Sequence, residues 1–410
     1  MTFEELYRTM LKQAVERGSV QADDLEASAG HLDCLLHPQD HPLVWPLNPC
    51  TCPKEETHCA AACLFDAIVR RDDGTLAVDP DRCSGCGACI QACQSGNLTA
   101  SRDVLPALDA VKHAKGPVYA LIAPAFLGQF STVVTPGRLR SAFKLLGFTG
   151  MVEVALFADL LTLKEALEFD RNIHTETDFQ LTSCCCPMWI GMIRKLYHEL
   201  MTHVPGAVSP MIAAGRTVKK LHPDAVTIFV GPCIAKKAEA READLAGAVD
   251  YVLTFQEMQD IFQAADIHPE LLEESERDHS SRAGRIYART GGVSEAVRTT
   301  VARLHPERPI QVRTRQADGV PACRAMIEDI RSGQHQANFF EGMGCTGGCV
   351  GGPKVLLDRE TGRENVDRYG DEAEFSTPLD NPYVLKLLRL LGFDTVEEFL
   401  EQSDIFIRHF

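Results

Sequence analysis

VTIFVGPCIAKKAE, residues 226–239, decides the architecture. Val226 to Val230, apolar but for Thr227, reads as a strand of the kind buried in a parallel sheet. Gly231-Pro232-Cys233 breaks the run, and the segment from Lys236 to Glu239 continues as a helix. A thiol on such a turn lies at the carboxyl end of a strand, where open α/β sheets build their sites. Two other segments repeat the arrangement. Phe179 to Thr182 runs into Ser183-Cys184-Cys185-Cys186-Pro187-Met188-Trp189, and Asn338 to Glu341 runs into Met343-Gly344-Cys345-Thr346-Gly347-Gly348-Cys349.

The chain around these loops alternates strand and helix patterns from Leu105-Pro106 onward, which predicts a mostly parallel α/β domain over residues 105–410. Val118 to Phe126 reads as a buried strand. Thr135-Pro136 caps a helix whose Leu139, Phe143 and Leu146 share a face and which stops at Gly147. Val152 to Leu156 supplies the next strand, with Asp159 as the expected cap of the helix after it.

At 410 residues, 45% hydrophobic and 24% charged, the composition is that of a multidomain globular protein. The first residues, Met1 to Leu6, carry acid rather than the basic start of a signal peptide, and no apolar run is long enough for a membrane span. A cytoplasmic protein is expected. A net charge of −16 argues against nucleic acid as a partner. Sixteen cysteines stand out. In a long chain without an export signal they point to metal ligation rather than disulfides.

Cys83, Cys86, Cys89 and Cys93 have the spacing Cys-x2-Cys-x2-Cys-x3-Cys, with Gly85 and Gly87 leaving the backbone room to wrap a cluster. Zinc suits an isolated Cys-x2-Cys pair, but thiols packed this closely on one turn suit a cuboidal cluster. Cys50, Cys52, Cys59 and Cys63 repeat the pattern imperfectly, and Ala67-Ile68 stands where Asn97-Leu98 stands in the later copy. Two such halves imply an α+β two-cluster ferredoxin-like domain over residues 46–104. In these modules the last cysteine of each half crosses to the other cluster. One [4Fe–4S] site would then use Cys50, Cys52, Cys59 and Cys93, the other Cys63, Cys83, Cys86 and Cys89, with Cys34 an alternative to Cys50 or Cys52. Residues 1–45 read as a helical extension, with Leu6, Met10, Leu11 and Val15 on one face. The histidines at 31, 37 and 41 read as loop residues.

The three cysteine loops are similar to the signatures Thr-Ser-Cys-Cys-Pro-x-Trp, Met-Pro-Cys-x2-Lys-x2-Glu and Met-x-Cys-x2-Gly-Cys-x2-Gly-Gly of the [FeFe]-hydrogenases. Other segments match that family too, among them Glu153-Val154, Ser209-Pro210, Thr290 to Val293 and Asp380-Asn381-Pro382. The resemblance implies a catalytic domain of two lobes and an H-cluster. Cys186, Cys233, Cys345 and Cys349 would bind its cubane, and Cys349 would also bridge to a two-iron subcluster bearing CO, cyanide and azadithiolate. It implies that Lys236 donates to a cyanide ligand, that Met343 belongs to the pocket, and that the thiol of Cys185 exchanges protons with the bridging amine. Glu165 and Glu168 map to the two glutamates of the family's proton relay, one helical turn apart. The relay serine falls on Pro205, which has no hydroxyl.

Other departures are an extra Cys184, Gly231 and Ser294 at methionine positions, Met211 where glutamine is common, and Gly351-Gly352-Pro353-Lys354. The triple-cysteine loop resembles the subgroup often called group B. Implied partners are H2, protons, a soluble ferredoxin-type carrier and H-cluster maturation proteins. Two further readings fit the cysteine loops: an iron–sulfur assembly factor, which usually lacks the thiol that Cys185 supplies, and an H2 sensor, which usually carries extra domains. Cys323 is read as structural.

Overall fold

A computed structural model describes the chain except residues 23–24, 54–56, 72–74, 184 and 276–278. The N-terminal part holds two small antiparallel ladders. β1 (Val44–Pro46) and β4 (Leu98–Ala100) enclose in sequence the hairpin of β2 (Ile68–Arg70) and β3 (Leu76–Val78). Beyond them follow β5 (Val118–Ile122), β6 (Gly150–Glu153), β7 (Gln180–Leu181), β8 (Val226–Gly231), β9 (Tyr251–Thr254), β10 (Thr314–Asp318) and β11 (Phe339–Met343). They form two parallel sheets, in the orders β6-β5-β8-β9 and β10-β11-β7. The mostly parallel α/β reading is thus the observed architecture, and the three cysteine loops after β7, β8 and β11 each leave the carboxyl end of a strand.

Helix Ala155–Asn172 follows β6 and is buried along most of its length, so its polar residues must find partners inside the protein. Asp159 does not cap this helix, which begins four residues earlier; it lies one turn in and accepts from Ser281 N at 2.6 Å and Gly284 N at 2.8 Å. The carboxylate caps a neighbouring segment instead of its own. Two expected strands are shorter than the apolar runs that suggested them. Pro124 turns the chain after Ile122 into a short 3-10 turn, and Val154 already has helical geometry after Glu153. Thr135, Pro136 and Gly147 bound the helix Pro136–Leu146 as expected.

The first 45 residues do not stand apart. Helix Phe3–Arg17 buries Phe3, Leu6, Tyr7, Met10 and Leu11 in the same core as the four-stranded sheet, while Val15 is only partly covered. A boundary at 45 would also cut β1. No helix among the described residues is long and apolar enough to cross a membrane.

Candidate active site and cluster-binding loops

Local sequence explains how the cysteine loops are held. Pro187 opens helix Pro187–Leu196 with Cys186 at its cap. Trp189, fully buried, donates to Thr182 O at 3.3 Å and lies so close to Gly342 that a Cβ there would meet the indole at 2.0 Å. This contact locks the loop after β7 to the strand that carries Cys345 and Cys349. Gly344 N donates to Cys186 Sγ at 3.3 Å.

Cys186, Cys233, Cys345 and Cys349 lie close enough for their charges to act on one another. Burial pushes the Cys233 thiol up to about 11 and Cys349 to about 12, and the neighbouring thiolates add to the shift. Cys345 is pushed up further by burial and by the other three. Four thiolates in so dry a place repel one another unless a cationic group lies between them, which is the condition an iron–sulfur cubane meets. Every described cysteine is free, so no disulfide competes.

Beside the quartet lies a cavity of about 60 Å³, walled by Cys185, Cys233, Lys236, Met211, Met343 and Cys349 among others. Lys236 Nζ donates to Glu239 Oε2 at 2.6 Å. Burial works against the ammonium, but Glu239, Cys233 and Cys349 outweigh it and hold the pKa above the ordinary value. Burial pushes the Cys185 thiol well up, with Glu165 and Cys186 adding to it.

Behind Cys185, Glu165 accepts from Ser183 N at 3.0 Å and from the Ser183 hydroxyl. Burial pushes Glu165 up to about 7; the Ser183 bonds oppose this, and the charges of Glu168 and Glu341 add to it. Burial raises Glu168 as well, against the Lys164 ammonium at 2.6 Å. One oxygen of each glutamate, Oε2, is buried and without a partner among the described residues. Pro205 contributes only its carbonyl, which accepts from Ala207 N at 2.8 Å.

Ser183, Lys164 and Tyr287 went unassigned in the sequence. Tyr287 lines the cavity with its hydroxyl 3.0 Å from Thr162 Oγ1, and a lone tyrosine carries no motif that would single it out. Ser183 sat in plain view within the cysteine loop.

In the N-terminal part, Cys50, Cys52, Cys59 and Cys93 line one small cavity. Cys63, Cys83, Cys86 and Cys89 face one another separately, and burial pushes Cys89 up to about 12 with the other three adding to it. Ala67 N donates to Cys63 Sγ at 3.2 Å and Asn97 N to Cys93 Sγ at 3.3 Å, the pseudo-symmetry seen in the sequence. Cys34 lies in the main core instead, and Cys184 lies outside the described residues. No three described His, Cys, Asp or Glu side chains close on a single-ion site; these thiols surround a space. Cys323 Sγ donates to Met343 O at 3.3 Å and supports β11. His31 Nε2 bonds Leu47 O at 2.8 Å, and His41 bonds Asp33 at 2.8 Å.

The second thiol group lies beside the cysteine loops of the parallel sheets. Gly85 and Gly87, both at positive φ, pass so close to Ala235 and Ile234 that a Cβ at either would stand 3.1 Å from them, and Ser84 Oγ donates to Met188 Sδ at 3.0 Å. Cys86 is close enough to add to the upward push on Cys345.

The family model "Iron only hydrogenase large subunit, C-terminal domain" matches residues 116–353, and that of a "4Fe-4S binding domain" matches residues 76–99. Iron hydrogenase 1 of Clostridium pasteurianum is 28% identical over 275 residues, 57% of this chain and 48% of that protein. The NADP-reducing hydrogenase subunit HndD of Solidesulfovibrio fructosivorans is 25% identical over 365 residues, 74% of this chain and 62% of that protein. The chain therefore spans less than two thirds of either relative. A solved structure of a variant of the [FeFe]-hydrogenase HydA1 from Chlamydomonas reinhardtii has the same fold, with a TM-score of 0.62 at 21% identity, covering 75% of this chain and 98% of that one. The cofactors of this group, [4Fe–4S] clusters and an H-cluster, suit the thiol sets described above. With more than half of its residues matched, and its cysteine loops gathered at the carboxyl ends of two parallel sheets, the chain belongs to the iron-only hydrogenase family.

Proposed function

We propose that the protein interconverts H2 with two protons and two electrons, with Cys186, Cys233, Cys345 and Cys349 holding the cubane of an H-cluster and Cys349 also carrying the two-iron subcluster. When bound, that group supplies the redox centre at which the H–H bond is made or cleaved. One observation carries the reading: the free thiol of Cys185 lines the same cavity as Cys349 and Lys236, with a buried carboxyl titrating near neutrality behind it.

In this reading Cys185 moves the proton at the cavity wall and Glu165 takes it up through its unpartnered oxygen. Glu168 leads outward, and a water between the two orphaned carboxylate oxygens replaces the hydroxyl that Pro205 lacks. The Lys236 ammonium anchors an anionic ligand in an otherwise apolar cavity, Glu239 keeps that charge in place, and Met343 shapes the wall.

Cys63, Cys83, Cys86 and Cys89 hold a [4Fe–4S] cluster next to the H-cluster, and Cys50, Cys52, Cys59 and Cys93 hold another farther out. Together they form an entry for electrons from a soluble ferredoxin-type carrier, and maturation proteins supply the two-iron unit. The presence of Cys185 in the cavity favours catalysis over an assembly role.

The experiment is H2 evolution and uptake by anaerobically matured protein, with reduced ferredoxin and with NADPH as alternative partners. Turnover with ferredoxin alone is expected. Turnover with NADPH and no ferredoxin would reassign the partner, and no turnover in either direction would remove the catalytic reading.

A further inference from the structure

The two halves of the N-terminal module part company at one residue. β2 follows Cys63 as β4 follows Cys93, and each of these cysteines accepts from the backbone N–H four residues on. Where β4 ends in Ala100, β2 ends in Arg70. Arg70 Nη2 donates to Cys52 O at 3.1 Å and lies 3.7 Å from Cys50 Sγ, within hydrogen-bonding range of a sulfur. Its Nε is buried and has no partner among the described residues. The guanidinium thus straddles Cys50-Thr51-Cys52, the compressed segment in which one residue separates two thiols.

We infer that Arg70 is a positioning residue for the outer cluster: it pins the Cys50–Cys52 segment and raises that cluster's reduction potential relative to what the thiols alone would give. A fixed positive charge that donates to a ligating thiolate stabilises the reduced, more negative form, and hydrogen bonds to sulfur are among the main levers on such potentials. Among the described residues no arginine or lysine hydrogen-bonds to a thiol of the inner group, where Lys195 acts on Cys83 through its charge alone, so a hydrogen-bonded guanidinium is particular to the outer cluster and favours an electron at that end. The inference rests on the reading that Cys50, Cys52, Cys59 and Cys93 hold a cubane.

The test is an EPR-monitored redox titration of full-length, anaerobically reconstituted protein as wild type, R70K and R70Q, with the signal lost on C59S identifying the outer cluster. R70Q should shift only that midpoint to lower potential, and R70K should recover part of the shift. Unchanged midpoints at full iron content would overturn the inference. If R70Q fails to retain the cluster, wild type labelled with 15N-arginine decides: the reduced outer cluster should show a 15N coupling in pulsed EPR in place of the 14N coupling of unlabelled protein, and the absence of any 15N coupling would overturn the assignment. Failure of the underlying reading looks different, since reconstituted wild type would then carry about eight rather than about twelve iron atoms, at four per cubane.

Discussion

Cys185 and Glu165 make the most specific claims at the scale of single residues. Cys185→Ala should keep the iron content of the protein yet lower H2 turnover by at least about 100-fold, the usual worth of a positioned proton donor; near-normal turnover would remove Cys185 from the proton route. Glu165 titrates near 7 in the fold against an ordinary value of 4.5. The folded protein therefore holds that proton more tightly than the unfolded chain does. The associated stability is full below the ordinary carboxyl range and is lost as pH rises through about 7. Glu165→Gln carries no such charge, so its resistance to urea should fall less than that of wild type between about pH 5 and about pH 8. Lys164 is buried with Glu168 as its ion-pair partner and Leu400 O as a second acceptor. Lys164→Met should destabilise by about 3 kcal/mol in chemical denaturation, with part of the loss recovered by adding Glu168→Gln, because removing one partner strands a buried charge.

At the scale of elements, the contact between Gly342 and Trp189 couples two cysteine loops. Gly342→Ala should cost about 1–3 kcal/mol, read from the urea midpoint, since the added methyl cannot fit without moving the indole or β11. The strand-to-turn loops are legible because short strand-like segments running straight into turns of Gly, Pro and Cys leave few alternatives, and β7, β8 and β11 each overlap the segment that announces it. Asp159 departs from the cap the sequence predicts for a physical reason: a capping residue type near a helix start can serve another segment through space, and sequence spacing carries no sign of which. Periodicity likewise placed the helix Phe3–Arg17 but could not say that its apolar face joins the main core, because that depends on contacts with residues more than a hundred positions away. Ser183 and Tyr287 escaped for the same reason, their partners Glu165 and Thr162 being set by the fold.

For the whole molecule, two parallel sheets aim their carboxyl ends at one cavity, and the N-terminal module presses its inner thiol group against the same loops. In the proposed function this cavity accepts a two-iron unit joined through Cys349 to a cubane. Infrared spectroscopy of protein matured anaerobically with the H-cluster maturation proteins tests it most directly. Metal-bound CO and cyanide stretching bands are the predicted result, weakened or lost in Cys349→Ser. Protein with its full complement of cubane iron but no such bands would contradict the claim.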